Sequence, residues 1–232
     1  MYFSFVYKTL HRVLEPASPS CLWTGVRDSP AIALTFDDGP HPQYTPQLLQ
    51  ILKKYSVSAS FFWLGTCVQQ SPDVARAVYE EGHWIGLHGY DHHPFIQMKA
   101  SVLKNNLERT QAVIAQACGI DLAQVQKEVT DVRPPNGVFT SHTLDLLQQW
   151  SYRPVMWSLI TEDWTQPGLS VVVQRVLQQI KNGSLIVLHD GYYGGGQDVA
   201  AIADQLIPCL LEQGYQFITV DRLWKQKFAS SS

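Results

Sequence analysis

Two adjacent carboxylates end an apolar run at Thr35-Phe36-Asp37-Asp38-Gly39-Pro40. Side by side, ionised and unpaired, they would repel each other. A divalent metal resolves the conflict, because one carboxylate can ligate the ion while the other stays free as a base. Gly39 and Pro40 turn the chain sharply and let the backbone pass close to a site. The same residues also make an ordinary turn with solvated acids, so the pair alone decides nothing. Further along come His88-Gly89-Tyr90-Asp91-His92-His93-Pro94. His88 and His92 would share one face of a helix, but Gly89 and Pro94 indicate a strand running into a loop, so the loop must bring the rings together. Two neutral imidazoles and a carboxylate suit zinc and leave a position open for water. A surface His cluster is the competing reading, since His93 adds a third ring.

Arg133-Pro134-Pro135-Asn136-Gly137 forms a stiff turn that fixes Arg133 in one pose, suited to bracing a carboxylate bidentately. An exposed Arg on a plain surface loop is the alternative. Glu162-Asp163-Trp164 and Leu188-His189-Asp190-Gly191 complete the set. A His closing an apolar strand, with an Asp nearby to raise its pKa, makes a general acid near neutral pH. A capped core histidine would look the same. The loop Tyr192-Tyr193-Gly194-Gly195-Gly196 that follows reads as a substrate rim or as a linker over the surface.

The elements that must hold these residues alternate. Strands are predicted at 31–36, 58–64, 84–88, leading up to Arg133, and at 152–159, 184–189 and 215–220. Helices are predicted at 45–55, from Ser71 (N-cap) and Pro72 to Gly82, and at 101–118, 141–150, 169–181 and 199–213. Such alternation implies βαβ units and a mainly parallel sheet, open or closed into a barrel. The reactive residues all fall at or just past the carboxyl ends of strands, where α/β barrels gather their sites. An N-terminal arm at 1–29, with a short helix from Met1 to Leu14, is expected to pack on a domain spanning 30–222. A C-terminal tail at 223–232 follows, its serines frayed.

Composition excludes several classes. Of 232 residues 45% are hydrophobic and 16% charged, enough for a large core and little disorder. A net charge of −3 gives no basic footprint for nucleic acid. No run reaches the roughly 20 apolar residues of a membrane span. Seven Trp suit core packing, or a groove in which flat rings lie against sugar faces. Cys21, Cys67, Cys118 and Cys209 show no Cys-x-x-Cys spacing and read as small buried hydrophobes.

Taken in order, Thr-Phe-Asp-Asp-Gly-Pro, His-x-x-x-His, Arg-Pro-Pro-x-Gly, Asp-Trp and Leu-His-Asp-Gly resemble the polysaccharide deacetylase family, also called the NodB homology domain or carbohydrate esterase family 4, over about residues 30–222. The resemblance implies an α/β fold, a distorted (β/α) barrel of about seven parallel strands in a single domain. It implies a divalent metal, usually Zn2+ with Co2+ or Ni2+ as alternatives, held by Asp38, His88 and His92. Asp37 would be the base and His189 the acid, oriented and tuned by Arg133 and Asp163. The backbone N–H of Asn136 would help hold the oxyanion, and Trp164 and Leu188 would line the pocket for the acetyl methyl. The substrate would be an N-acetylated glycan such as peptidoglycan or a chitin-like oligosaccharide.

Three positions depart from the family pattern. Gly89 replaces the Ser or Thr that follows the first His, and Asp91 is a candidate substitute as a supporting partner. Ile160 stands where an Asp often opens the fourth motif, and Val187 where Leu is common. Three other readings compete. A non-haem iron oxygenase also uses two His and a carboxylate, but predicts an all-β fold. An inactive sugar-binding domain leaves Asp37 and His189 without purpose. An amidase of the same family, acting on small non-sugar amides, would differ mainly in its loops. The absence of a recognisable signal peptide points to the cytoplasm, whereas a glycan substrate points to the cell envelope. Oligomeric state is not legible.

Overall fold

A computed structural model describes residues 14–193 and 196–228. The expected helix from Met1 to Leu14 and the serine-rich end lie outside the described residues, apart from Leu14 itself. The central strand is β1 (Ala31–Asp37), buried along its whole length. Both of its faces are covered, which is why it reads as a continuous apolar run rather than an alternating one. Helix α1 (Tyr44–Lys54) returns over the sheet and buries Leu48, Leu49 and Leu52 on one stripe. β2 (Ser60–Trp63), α2 (Gly65–Gln70), α3 (Pro72–Glu80), β3 (Trp84–Leu87), α4 (Ala100–Cys118), α5 (Leu122–Glu128) and β4 (Asp131–Val132) follow. Ser71 is the N-cap residue of α3 as expected, with Pro72 in the first turn, but its hydroxyl makes no capping bond. The second half holds α6 (Ser141–Gln149), β5 (Arg153–Pro154), β6 (Leu159–Ile160), α7 (Leu169–Gln179), β7 (Leu185–His189), α8 (Val199–Glu212), β8 (Gln216–Phe217) and α9 (Val220–Phe228).

All pairings are parallel, in the order β5-β4-β3-β2-β1-β7-β6, with β8 beside the start of β1. This is the distorted (β/α) barrel the resemblance implies. The single strand expected at 152–159 is two short ones: β5 pairs with β4 and β6 with β7, so one stretch of chain touches both ends of the sheet and closes it. Leu22 of the N-terminal arm pairs with Val155 in the middle of that stretch. The last strand is also shorter than 215–220. Val220 opens α9 instead, and Leu223 and Trp224, assigned to a tail, pack this helix against the barrel floor.

Side chains alternate across a strand, and that alternation sorts β1 and β7 into two environments. Ile32, Leu34 and Phe36, with Ile186 and Leu188, face the helices in the main core. Ala31, Ala33 and Leu185 face the barrel interior with Leu22 and Val155. The next inward positions, Thr35, Asp37, Val187 and His189, therefore climb toward the mouth. In α8, Pro208 lacks the N–H that would bond the Asp204 carbonyl, and the Tyr55 hydroxyl donates to that carbonyl instead (3.2 Å). Among the described residues no helix is long and apolar enough to cross a membrane. The four cysteines are free thiols.

Candidate active site

Asp37 ends β1 and is almost fully buried. Arg133, just past β4 and wholly buried, donates from Nη1 to Asp37 Oδ1 (2.5 Å) and to the Thr35 hydroxyl (2.8 Å). Its other donors go to the backbone carbonyls of Val155 and Met156. The bidentate clamp expected from sequence is thus a single contact, with the rest of the guanidinium spread over the closing segment. The Phe62 ring lies beneath it, 4.0 Å from ring centre to Cζ.

Asp38 stands in the left-handed region (φ 71°), as do His92 (φ 58°) and Asn136 (φ 59°). Three non-glycine residues in that region around one pocket are a concentration of backbone strain typical of sites. Asp38 Oδ1 is buried, accepts no hydrogen bond, and lies 3.4 Å from His88 Nε2 and 3.3 Å from His92 Nε2. The three ligand atoms lie within 4.8 Å of one another. His88 Nδ1 contacts the Arg133 carbonyl (2.7 Å), which fixes the ring and presents Nε2 to Asp38. Burial pushes the Asp38 carboxyl up to about 7 and holds His88 down at about 3; His92 is lowered too, again chiefly by burial. An orphaned carboxylate oxygen facing two neutral imidazoles is a donor set that fits a divalent cation such as zinc.

Gly89, with φ 89°, lets the chain leave His88 and return with His92. A Cβ there would sit 3.1 Å from Phe95 and 3.3 Å from Asn106. Asn106, buried on α4, accepts from the Tyr90 N–H (2.8 Å) and donates to Asp91 (3.3 Å). Asp91, the expected brace, is exposed but accepts from the His93 N–H (3.4 Å) as well as from Asn106, so the two share the bracing of the loop. Asn106 was not singled out from sequence. The signal was its place on the apolar stripe of α4, between Leu103 and Thr110, both buried.

His189 closes β7. Its Nδ1 meets Asp163 Oδ1 (2.9 Å), and its backbone N–H donates to Asp163 Oδ2 (2.8 Å). The Thr161 hydroxyl steadies Asp163 from behind (2.8 Å), and Arg175 pairs with Glu162 (3.0 Å) to pin the loop. Burial works against a charge on His189, but Asp163, with Asp38 and Asp37, outweighs it and raises the imidazole to about 9. Asp190 is fully buried, its carboxyl raised to about 7 by burial; it accepts from the Thr45 hydroxyl (2.5 Å) and donates its N–H to the Asp37 carbonyl (3.1 Å). Thr35, Thr45 and Thr161 carry no distinguishing sequence signal beyond their nearness to the acids.

Asp37, Asp38, His88, His92 and His189 line one cavity of about 170 Å³, with Asn136, Gly137, Trp157, Ile160, Trp164, Val187 and Tyr193 completing its wall. Asp37, Asp38, His88, His92, His189, Asn136 and Trp164 meet there. Arg133 and Asp163 stand behind it. Leu188, expected in the wall, faces the helical core, and Val187 takes the pocket position because successive strand residues point to opposite sides. Trp157 was not singled out; it packs so tightly on Gly137 that a Cβ there would lie 2.2 Å from the indole.

Comparison with known proteins gives a consistent result. The family profile described as polysaccharide deacetylase matches residues 24–155. A peptidoglycan-N-acetylglucosamine deacetylase of Bacillus cereus is 34% identical over 94% of this chain and 99% of its own length. A chitooligosaccharide deacetylase of Azorhizobium caulinodans is 31% identical over 80% of this chain and 90% of its own. Among solved structures, the Bc1960 peptidoglycan N-acetylglucosamine deacetylase superposes with a TM-score of 0.81 at 28% identity, covering 88% of this chain and 92% of that one.

Proposed function

The chain belongs to the polysaccharide deacetylase family, and from that premise we propose that it is a metal-dependent deacetylase of N-acetylglucosamine-containing glycans, peptidoglycan or chitin-like oligosaccharides. It is a hydrolase acting on the carbon–nitrogen bond of sugar acetamides. One observation carries the finer reading. Two proton-handling groups, Asp37 braced by Arg133 and His189 braced by Asp163, share a single pocket with the Asp38–His88–His92 trio.

The division of labour follows from what each group touches. Asp38, His88 and His92 would hold the ion, most simply Zn2+, which when bound lowers the pKa of water and polarises a carbonyl. Asp37 accepts the proton of the attacking water through the carboxylate oxygen that Arg133 leaves free. The Asn136 N–H donates to the carbonyl oxygen as negative charge builds on it. His189 has Nδ1 committed to Asp163, so Nε2 delivers the proton to the departing amine. Without that proton the amine is a very poor leaving group. Trp164 and Val187 shape the space for the acetyl methyl.

The test is acetate release from N-acetylglucosamine oligomers, with and without a chelator and with zinc restored. Release abolished by chelator and recovered with zinc supports the reading. No release under any divalent ion overturns it.

A further inference from the structure

A cavity of about 170 Å³ is smaller than the ~300–1,000 Å³ of a typical small-molecule site. It has room for an acetamido group but not for the pyranose that carries it, so the sugar must rest on the rim. The rim residue with the right form is Tyr193. The residue is 61% exposed although it lines the cavity. One face stacks on His92, with centroids 4.9 Å apart and planes only 13° from parallel. The ring is therefore held in a defined plane at the mouth, with one face against His92.

The neighbouring Tyr192 is held differently. It leans at 59° on His41, which is itself stacked on Tyr44 at 3.8 Å. The root of the loop is fixed as well. Asp190 is bonded to the Asp37 carbonyl and to Thr45, and a Cβ on Gly191 would fall 2.0 Å from the Asp38 carbonyl oxygen. A freely waving aromatic loses entropy on binding, whereas a ring pre-set by its neighbours loses little.

We propose that Tyr193 is the stacking platform for the pyranose bearing the scissile acetamide. The electron-rich ring face attracts the slightly positive C–H groups on the flat side of a sugar. Tyr193 sets affinity for a carbohydrate rather than reactivity toward an amide. The proposal rests on the glycan deacetylase reading above.

The experiment compares wild-type protein with Tyr193→Ala and Tyr193→Phe on the N-acetylglucosamine tetramer, measuring KM, kcat and zinc per chain. Tyr193→Ala should raise KM about tenfold, the order an aromatic contact implies, with kcat and zinc content preserved. Tyr193→Phe should keep the wild-type KM, since it retains the ring. An equal rise in both variants would mean that the hydroxyl, not the ring face, binds substrate. Zinc loss in Tyr193→Ala would make the ring a prop for His92; either result, or an unchanged KM, overturns the platform. Calorimetric binding of the tetramer to zinc-loaded protein separates the two readings. If wild type binds but releases no acetate, deacetylation fails, and the platform stands or falls on whether Tyr193→Ala weakens that binding. No binding by wild type overturns both.

Discussion

Asp38 and Asp37 are chemically identical neighbours with opposite surroundings, and their variants should separate cleanly. Asp38 faces two imidazoles and no donor, whereas Asp37 is met by a guanidinium. Asp38→Ala, like His88→Ala or His92→Ala, should abolish zinc binding. Asp37→Asn should retain zinc, measured by metal analysis after gel filtration, and lose at least about 100-fold in turnover as a removed general base does. Zinc loss in Asp37→Asn would mean that the two roles are exchanged. The raised Asp38 pKa has a signed consequence for stability. A carboxyl whose folded pKa lies above its unfolded value binds more protons when folded, so its contribution is complete below the ordinary carboxylate pKa and is lost as pH climbs through about 7. The chelated protein should therefore fall further below the zinc-loaded form in melting temperature at about pH 8 than at about pH 5. Asp190, also raised to about 7, titrates in both forms and largely cancels from that difference. An equal gap at both pH values would contradict the assignment. The acids and the His pair were legible because their types and spacing are chemically unusual. Leu188 was placed in the pocket by the family resemblance alone, whereas strand alternation from His189 puts Val187 on the inward face.

At the scale of elements, the loop from His88 to His92 is shaped from outside itself. Gly89 supplies the backbone angle, Asn106 on α4 bonds Tyr90 and Asp91, and the N–H groups of Gly65 and Thr66 bond the carbonyls of Gly89 and Tyr90. Asn106→Ala should leave the barrel folded and weaken zinc binding about 10- to 100-fold, the usual cost of losing a partner that orients ligands. Competition against a chromogenic chelator reads this directly, and wild-type affinity would show that the loop holds its shape without Asn106. β1 and β7 were readable as continuous apolar runs, and α4 and α8 because many residues repeat the helical period. The stretch at 152–160 was not. Most of its residues suit a strand despite Pro154, but its partners are β4 at one end and β7 at the other, and only the closed sheet decides where it bends. The run 215–220 is similar, since two residues pair with β1 before Thr219 and Asp221, bonded to each other, turn the chain into α9.

For the molecule as a whole, the arm before β1 is part of the barrel. Leu22 is fully buried, exchanges backbone bonds with the chain at Pro154 and Met156, and packs with Val155, Leu185 and Leu223. Leu22→Ala should cost about 2–5 kcal/mol in denaturant unfolding, the range for a buried leucine. A loss below about 1 kcal/mol would place the arm outside the cooperative unit. The carbonyls of Val155 and Met156, which flank this contact, are also the ones that hold Arg133. This gives the molecule a sense of time. The groups suited to hold an ion sit just beyond β1 and β3, strands two places apart in the sheet, whereas the arginine that aims the base is held by carbonyls of the segment that seals the gap between β4 and β7. A chain refolding with zinc present should therefore capture the ion first and recover turnover later. Stopped-flow zinc uptake and acetate release from one sample would run as two separate clocks, and coincident traces would show that closure and ligand assembly are a single event.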